Sequence, residues 1–404
     1  MLRPLCCLVF LLSLAGSALA DPAVAVRPAD LASKLSARSV VLWVQEDGRV
    51  LASGDAESGR GDGGEKARAW FEPIDGLKDI VAVSQSWQSN DLSAALDRHG
   101  KVWMWGRKSC ETQRRGADCE ARSYQPFLLE TSGNVTAIAL GDSHLLILLS
   151  DGRVMSAAID YSGNRYGQQG IGSVEAQPSF IAVPAISDAV AIAAGESTSY
   201  ILRRDGTVWG MGLGYFGELG EDAKRGGLRD GLDERSANVS PKRIAGLADI
   251  VAISAGNGFA AAIDTRGQVW GWGSNESGQL GFPPSDLTPV MPRIQSGFKR
   301  IRSIAAGYDF LLAVDQDDVV FAQGGNVHGT LGDRRGELEG KRRSIADLGA
   351  VRGISAGHYN AFAQRADGTL VGWGANDPGA GGFAPQAELA SIAPTPLSAS
   401  ARVA

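Results

Sequence analysis

Three observations predict an all-β fold, a seven-bladed β-propeller with about four antiparallel strands per blade. A phrase of about fifty residues recurs seven times along the 404-residue chain. Each copy reads as short apolar runs joined by turn signals, and no copy holds a helical stripe of convincing length.

The phrase is plainest in the fifth copy. Ile250 to Ser254 is one apolar run, Ala260 to Asp264 a second, and Gln268 to Trp272 a third, with Thr265-Arg266-Gly267 as the turn between the last two. The same order returns at Leu35 to Gly54, Ile80 to Gly106, Val135 to Ala158, Ala189 to Gly212, Ile301 to Gly325 and Val351 to Gly374. The turn positions Gly48, Gly100, Gly152, Gly206, Gly267, Asp318 and Gly368 stand 50 to 61 residues apart. Asp-Gly at four of these places, ending at Gly48, Gly152, Gly206 and Gly368, is what a tight hairpin with positive φ requires. After the third run comes a glycine-rich tail, then a weaker fourth segment near Pro292-Arg293-Ile294. A ring of such units leaves few open sheet edges if its first and last units are stitched together, and Ile392 to Leu397 is the candidate stitch at the C-terminal end. With 53 glycines in 404 residues, glycine is present at about twice its usual share of roughly 7 per cent, in keeping with so many turns.

Residues 1–20 read as a secretory signal peptide and 21–404 as a single propeller domain. Arg3 precedes the apolar run Leu5 to Leu14, and Ala18-Leu19-Ala20 supplies the small residues of a cleavage site. That run is shorter than the ~20 residues that cross a bilayer, so no membrane span is expected after cleavage. The expected location is periplasmic or secreted. Cys6 and Cys7 would leave with the peptide, and Cys110 and Cys119, nine positions apart in a polar stretch, are expected to form a disulfide, free thiols being the alternative. Arginine outnumbers lysine 30 to 9, which hints at a GC-rich bacterial genome. A net charge of −6 offers no general attraction to nucleic acid or anionic lipid.

Ser254-Ala255-Gly256, Val269-Trp270-Gly271-Trp272-Gly273 and Asn275-Glu276-Ser277-Gly278-Gln279-Leu280-Gly281 together resemble the repeat of the regulator of chromosome condensation family. Asn326 to Gly332 and Gly217 to Gly220 repeat the last element imperfectly, and the resemblance covers essentially all of residues 21–404. Members of that family include a nuclear exchange factor, a plant photoreceptor and secreted bacterial inhibitors, so the resemblance implies a ring and no single activity. It also implies a position, often histidine, three residues after the Ala-Gly and facing the central channel. Here that position holds Val40, Leu92, His144, Thr198, Phe259, Phe310 and Asn360, which implies a channel more apolar than usual.

The residues point to no catalytic centre, cofactor or metal. Ser143 and His144 adjoin but alternate along the chain, and Gly210 to Gly214 mimics a nucleotide-binding loop with no helix after it. Trp103, Trp105, Trp209, Trp270, Trp272 and Trp373 fall on third strands, where blade packing accounts for them. Arg60-Gly61-Asp62 is an adhesion-like tripeptide common by chance. The expected function is therefore an exported scaffold or inhibitor that binds an unidentified protein of the cell envelope or medium through one loop face. Candidate contacts are Trp87, Tyr308, Phe310, His358 and Tyr359 in the loops after the first strands, and Tyr161, Tyr166, Tyr215 and Phe216 in the second loop set. The extra residues at Gln85 to Asn90 and the insertion Lys224 to Ser236 mark where loops depart from the repeat. The alternative is a carbohydrate-active or other hydrolase whose acids, Asp142, Glu196 and Asp309, meet at the channel mouth.

Overall fold

Each copy of the phrase folds into its own four-stranded antiparallel sheet, with consecutive strands as neighbours. The structure is a computed structural model and describes residues 34–37, 40–54, 60–61, 68–87, 92–106, 125–160, 162–221, 237–332, 342–375 and 395–397. The blades span 35–73, 80–128, 135–182, 189–243, 250–294, 301–344 and 351–397. Among the described residues there is no helix. In blade five Ile250–Ala255 pairs with Phe259–Asp264, which pairs in register with Val269–Asn275, Phe259 opposite Gly273 and Ile263 opposite Val269. Residues 1–20, Cys110, Cys119, Tyr161 and the Lys224 to Ser236 insertion lie outside the described residues.

The turn between second and third strands also joins several blades to the next. Gly48, Gly100, Gly152, Gly206, Gly267 and Gly368 have φ between 71° and 89°, and Asp318 takes φ 63° in the sixth blade. The carbonyl of Gly267 accepts the Ile301 N–H at 2.9 Å, and those of Gly48 and Gly206 receive the Ile80 and Ile250 N–H groups in the same way. A Cβ on Gly267 would lie 2.9 Å from the Arg300 Cα, so this close approach as well as the positive φ selects glycine.

The core is divided among the seams. Seven clusters of buried residues occupy the seven contacts between neighbouring blades, as when Tyr200, Leu202 and Ile244 of blade four meet Ala260, Ala262 and Trp272 of blade five. Trp105, Trp272 and Trp373 are fully buried, as expected for blade packing. Two of them also bond across the seam: the indole N–H of Trp272 donates to the Glu218 carbonyl at 2.7 Å, and that of Trp373 to the Thr330 carbonyl at 2.8 Å.

Ring closure differs from the expectation. Thr395–Leu397 is the fourth strand of blade seven, paired with Leu370–Gly374, so among the described residues no sheet is shared between the chain ends. The ring closes through side chains instead. Leu35, Val41, Trp43, Leu51 and Phe71 of blade one pack with Phe362 and Leu370 of blade seven, and the Ser355 hydroxyl donates to the Leu35 carbonyl at 3.0 Å.

The position three residues after the Ala-Gly does not face the channel. Leu92, His144, Thr198, Phe259, Phe310 and Asn360 open the second strands, which lie one strand away from the axis, and all are buried. The rings of His144, Phe259 and Phe310 turn back over Gly141, Gly256 and Gly307, where any Cβ would overlap them. The channel is lined mainly by the first strands, through residues such as Val83, Ala139, Ile192, Ala255 and Ala306, and encloses about 620 Å³.

A candidate interface on the loop face

The ring has two unlike faces. On one, the hairpin turns carry arginine-aspartate pairs: Arg49 with Asp47 at 2.7 Å, Arg153 with Asp151 at 2.8 Å, Arg203 with Asp188 at 2.6 Å and Arg302 with Asp318 at 2.7 Å. Backbone N–H groups and the arginines hold the Asp47 and Asp151 carboxyls below their usual range. The opposite face is built from the loops after the first and third strands, and two of its acids move the other way. Burial raises Asp309, and burial followed by the nearby Asp142 charge raises Glu196.

Hydrogen bonds link the loops of this face from blade three to blade seven. The Asp142 N–H donates to the Glu196 carbonyl at 3.0 Å, Asn257 to Tyr308 at 3.3 Å, and Tyr308 to Gly357 at 3.2 Å. The Asn257 side-chain amide donates to the Glu196 carboxylate at 2.6 Å, bridging blades four and five. Asp309 lies two blades from Glu196 and accepts from the Ser277 hydroxyl at 3.3 Å. The acids are thus spread around the rim, each engaged with the next or the preceding blade.

Of the expected contacts, Tyr308, His358 and Tyr359 come together. His358 stacks on Tyr359 at 3.9 Å and 18°, Tyr308 lies 4.3 Å from His358 and 5.5 Å from Tyr359, and all three are half-buried. His328, from the loop after the third strand of blade six, completes the cluster 4.2 Å from Tyr359. Its neighbour Val327 is 76% exposed. Sequence reasoning passed over His328 because a lone histidine in a glycine-rich tail has no signal of its own. Tyr215 and Phe216 form a separate half-buried pair, edge to face at 4.9 Å, beside the Gly258 loop.

Three expected contacts are corrected. Phe310 is fully buried against Gly307 and cannot reach a partner. Trp87 is 2% exposed: its indole folds inward from the lengthened blade-two loop, lines the channel and donates to the Ala194 carbonyl of blade four at 3.1 Å. Tyr166 is buried in the tail of blade three, which sequence reasoning also missed. There Asn164 accepts the Gln169 N–H at 3.0 Å as Asn275 accepts Leu280 at 2.9 Å, so the Asn164, Gly167, Gly170 spacing was the available signal. Arg60 of the adhesion-like tripeptide is likewise buried and donates to the Gly54 carbonyl at 3.0 Å.

Ser143 and His144 have different partners. Ser143 donates to Asp160 at 3.4 Å, whereas the fully buried His144 Nε2 lies 2.9 Å from the Ser199 hydroxyl of blade four. Ser199 spends its proton on the Gln168 carbonyl at 2.7 Å, so His144 must be the donor in that contact. Burial lowers the His144 pKa to about 4, leaving the ring neutral.

Comparison with known proteins agrees with the repeat. Two family models, both described as the regulator of chromosome condensation (RCC1) repeat, match residues 189–218 and 250–279, and 205–263 and 266–314. The mouse regulator of chromosome condensation is 26% identical over 346 residues, covering 81% of this chain and 80% of that one. The human E3 ubiquitin-protein ligase HERC2 is 25% identical over 333 residues, but this chain spans only 6% of its length. Among solved structures, Prp20p from Saccharomyces cerevisiae, described with its binding to Gsp1p and histones, superposes with a TM-score of 0.75 at 20% identity over 88% of this chain and 87% of that one. Human WBSCR16 gives 0.70 at 19% over 89% and 94%.

Proposed function

Because the chain is a propeller of regulator of chromosome condensation repeats, we propose that it acts as a protein-binding scaffold or inhibitor whose interface is the loop face at blades six and seven. The observation that carries this reading is the half-buried cluster of Tyr308, His328, His358 and Tyr359, held on a rim whose loops are hydrogen-bonded to one another. Aromatic side chains fixed before binding lose little freedom when a partner covers them, which is the property of interface hot spots. Prp20p, with the same fold, is described as binding Gsp1p and histones, which supports a protein partner here. The N-terminal signal pattern supports an exported protein that meets its partner in the periplasm or medium.

Alanine at both Tyr308 and Tyr359 is expected to abolish recovery of partners from the native source, with the thermal midpoint kept within a few degrees. Undiminished recovery by the folded double variant would refute the reading. N-terminal sequencing of the native protein tests export separately: a start at Asp21 is expected, and an intact Met1 in the envelope or medium would contradict it.

A further inference from the structure

We propose that the rim between blades six and seven seats an arginine side chain of the protein partner, its guanidinium paired with Asp309 and packed on the Tyr308 and Tyr359 ring cluster. This rests on the rim being the interface and adds what the rim recognises. Asp309 is half-buried, its carboxyl accepts from the Ser277 hydroxyl and from its own backbone N–H, and His328 lies near enough to act on its charge, while among the described residues no lysine or arginine forms an ion pair with it. The turn face shows the contrast, since its aspartates meet arginines at 2.6 to 3.1 Å. A carboxylate drawn partly out of water, with an imidazole beside it but no lysine or arginine paired to it among the described residues, is a site that an incoming guanidinium completes, with two oxygens matching its two-pronged donor geometry.

The rings beside it suit the same ligand. The Asp309 charge is close enough to Tyr359 to help raise its phenol, after burial and Tyr308, so carboxylate and rings form one local environment. Tyr308 is fixed by its N–H bond to Gly357, and the Tyr359 carbonyl accepts the Ala375 N–H at 2.8 Å. A flat delocalised cation gains from contact with such rings. A sugar would need a broad free face, but Tyr359 stacks with His358 and lies 33° from His328, and Tyr308 is tilted 58° to His358. Val327, 76% exposed beside His328, gives the aliphatic part of the side chain an apolar contact.

The test titrates the full chain with a twelve-residue glycine-serine peptide carrying two arginines, and with versions carrying lysine or neutral citrulline. Binding is followed by calorimetry or NMR. The arginine peptide is expected to bind at least tenfold more tightly than the citrulline peptide and severalfold more tightly than the lysine peptide. Asp309→Asn, which keeps the shape of the group, is expected to erase the arginine advantage, and Tyr308→Ala to weaken binding several-fold. Equal binding of arginine and citrulline peptides, an unchanged affinity in Asp309→Asn, or binding of a chito-oligosaccharide at the same residues in place of the peptide would overturn the proposal. Native partner recovery separates the two levels. Loss in Tyr308→Ala/Tyr359→Ala with full retention in Asp309→Asn overturns the arginine site and leaves the rim intact, and retention in both overturns both.

Discussion

Glu218 is the residue whose replacement has the most calculable effect. It occupies the tail position held by Gln168 in blade three and Gln279 in blade five, and its carboxylate accepts the Phe216 N–H at 2.6 Å as those glutamines accept Tyr166 and Ser277 at 2.9 and 3.0 Å. Burial raises its pKa from 4.5 to about 8, with the Glu196 charge adding to the rise against the hydrogen bonds from the backbone. A neutral acid thus stands in for an amide at the seam where Tyr200 and Trp272 both donate to the Glu218 carbonyl. The folded state holds this proton more tightly than the unfolded one, so the stabilisation is complete below pH 4.5 and is lost as pH rises through about 8. The slope is about 1.4 kcal/mol per pH unit, or about 5 kcal/mol across the whole window. His144 works in the opposite sense. Its pKa falls from 6.5 to about 4 on burial, so its stabilisation is complete above 6.5 and lost as pH falls through about 4. The two slopes oppose each other between pH 4.5 and 6.5, and above that window Glu218 contributes a decline on the alkaline side. Glu218→Gln removes that decline. Urea unfolding followed by tryptophan fluorescence from pH 4.5 to 8.5 is expected to show the variant gaining steadily on the native protein as pH rises. Parallel curves for the two proteins would refute a neutral Glu218.

Other substitutions address the remaining devices of the fold. Gly256→Ala places a methyl group into the Phe259 ring and near the Gly307 carbonyl, and is expected to destabilise by about 2–3 kcal/mol or prevent folding, read from the denaturation midpoint. An unaffected midpoint would show that the ring does not rest on the glycine. Trp87→Ala removes a buried ring and its bond to Ala194, with an expected loss of about 3–5 kcal/mol and faster amide exchange on the channel strands at that end. Leu370→Ala thins the cluster that closes the ring and is expected to cost about 2–5 kcal/mol, as a core leucine does; a cost under 1 kcal/mol would place closure elsewhere.

The ring itself was legible because its signals are local and repeated. Turn glycines at near-constant spacing, alternating apolar runs and the tail motif each reappear where a blade needs them. What escaped was the direction in which a side chain points. Phe310 sits three residues after Gly307 in a segment that reads as loop, yet it is the first residue of a second strand and its ring folds back over that glycine. Trp87 reads as an exposed loop aromatic, but the added residues of its loop let the indole reach inward over the channel. Ring closure stayed open because the C-terminal candidate segment matched a fourth strand equally well, and blade seven needed one of its own. The rim was half legible. Tyr308 and His358 share one repeat position in adjacent blades and Tyr359 follows directly, whereas His328 joins them from a different loop that only the folded ring brings near.

Site-specific photocrosslinking in the native source tests the interface most directly. A photoreactive amino acid at Val327, 76% exposed beside the ring cluster, is compared with one at Asp317, whose side chain is 66% exposed on the turn face. A discrete covalent adduct with a protein from position 327, and none from position 317, is the expected result. Adducts from position 317 with none from 327 would contradict a partner held on the loop face.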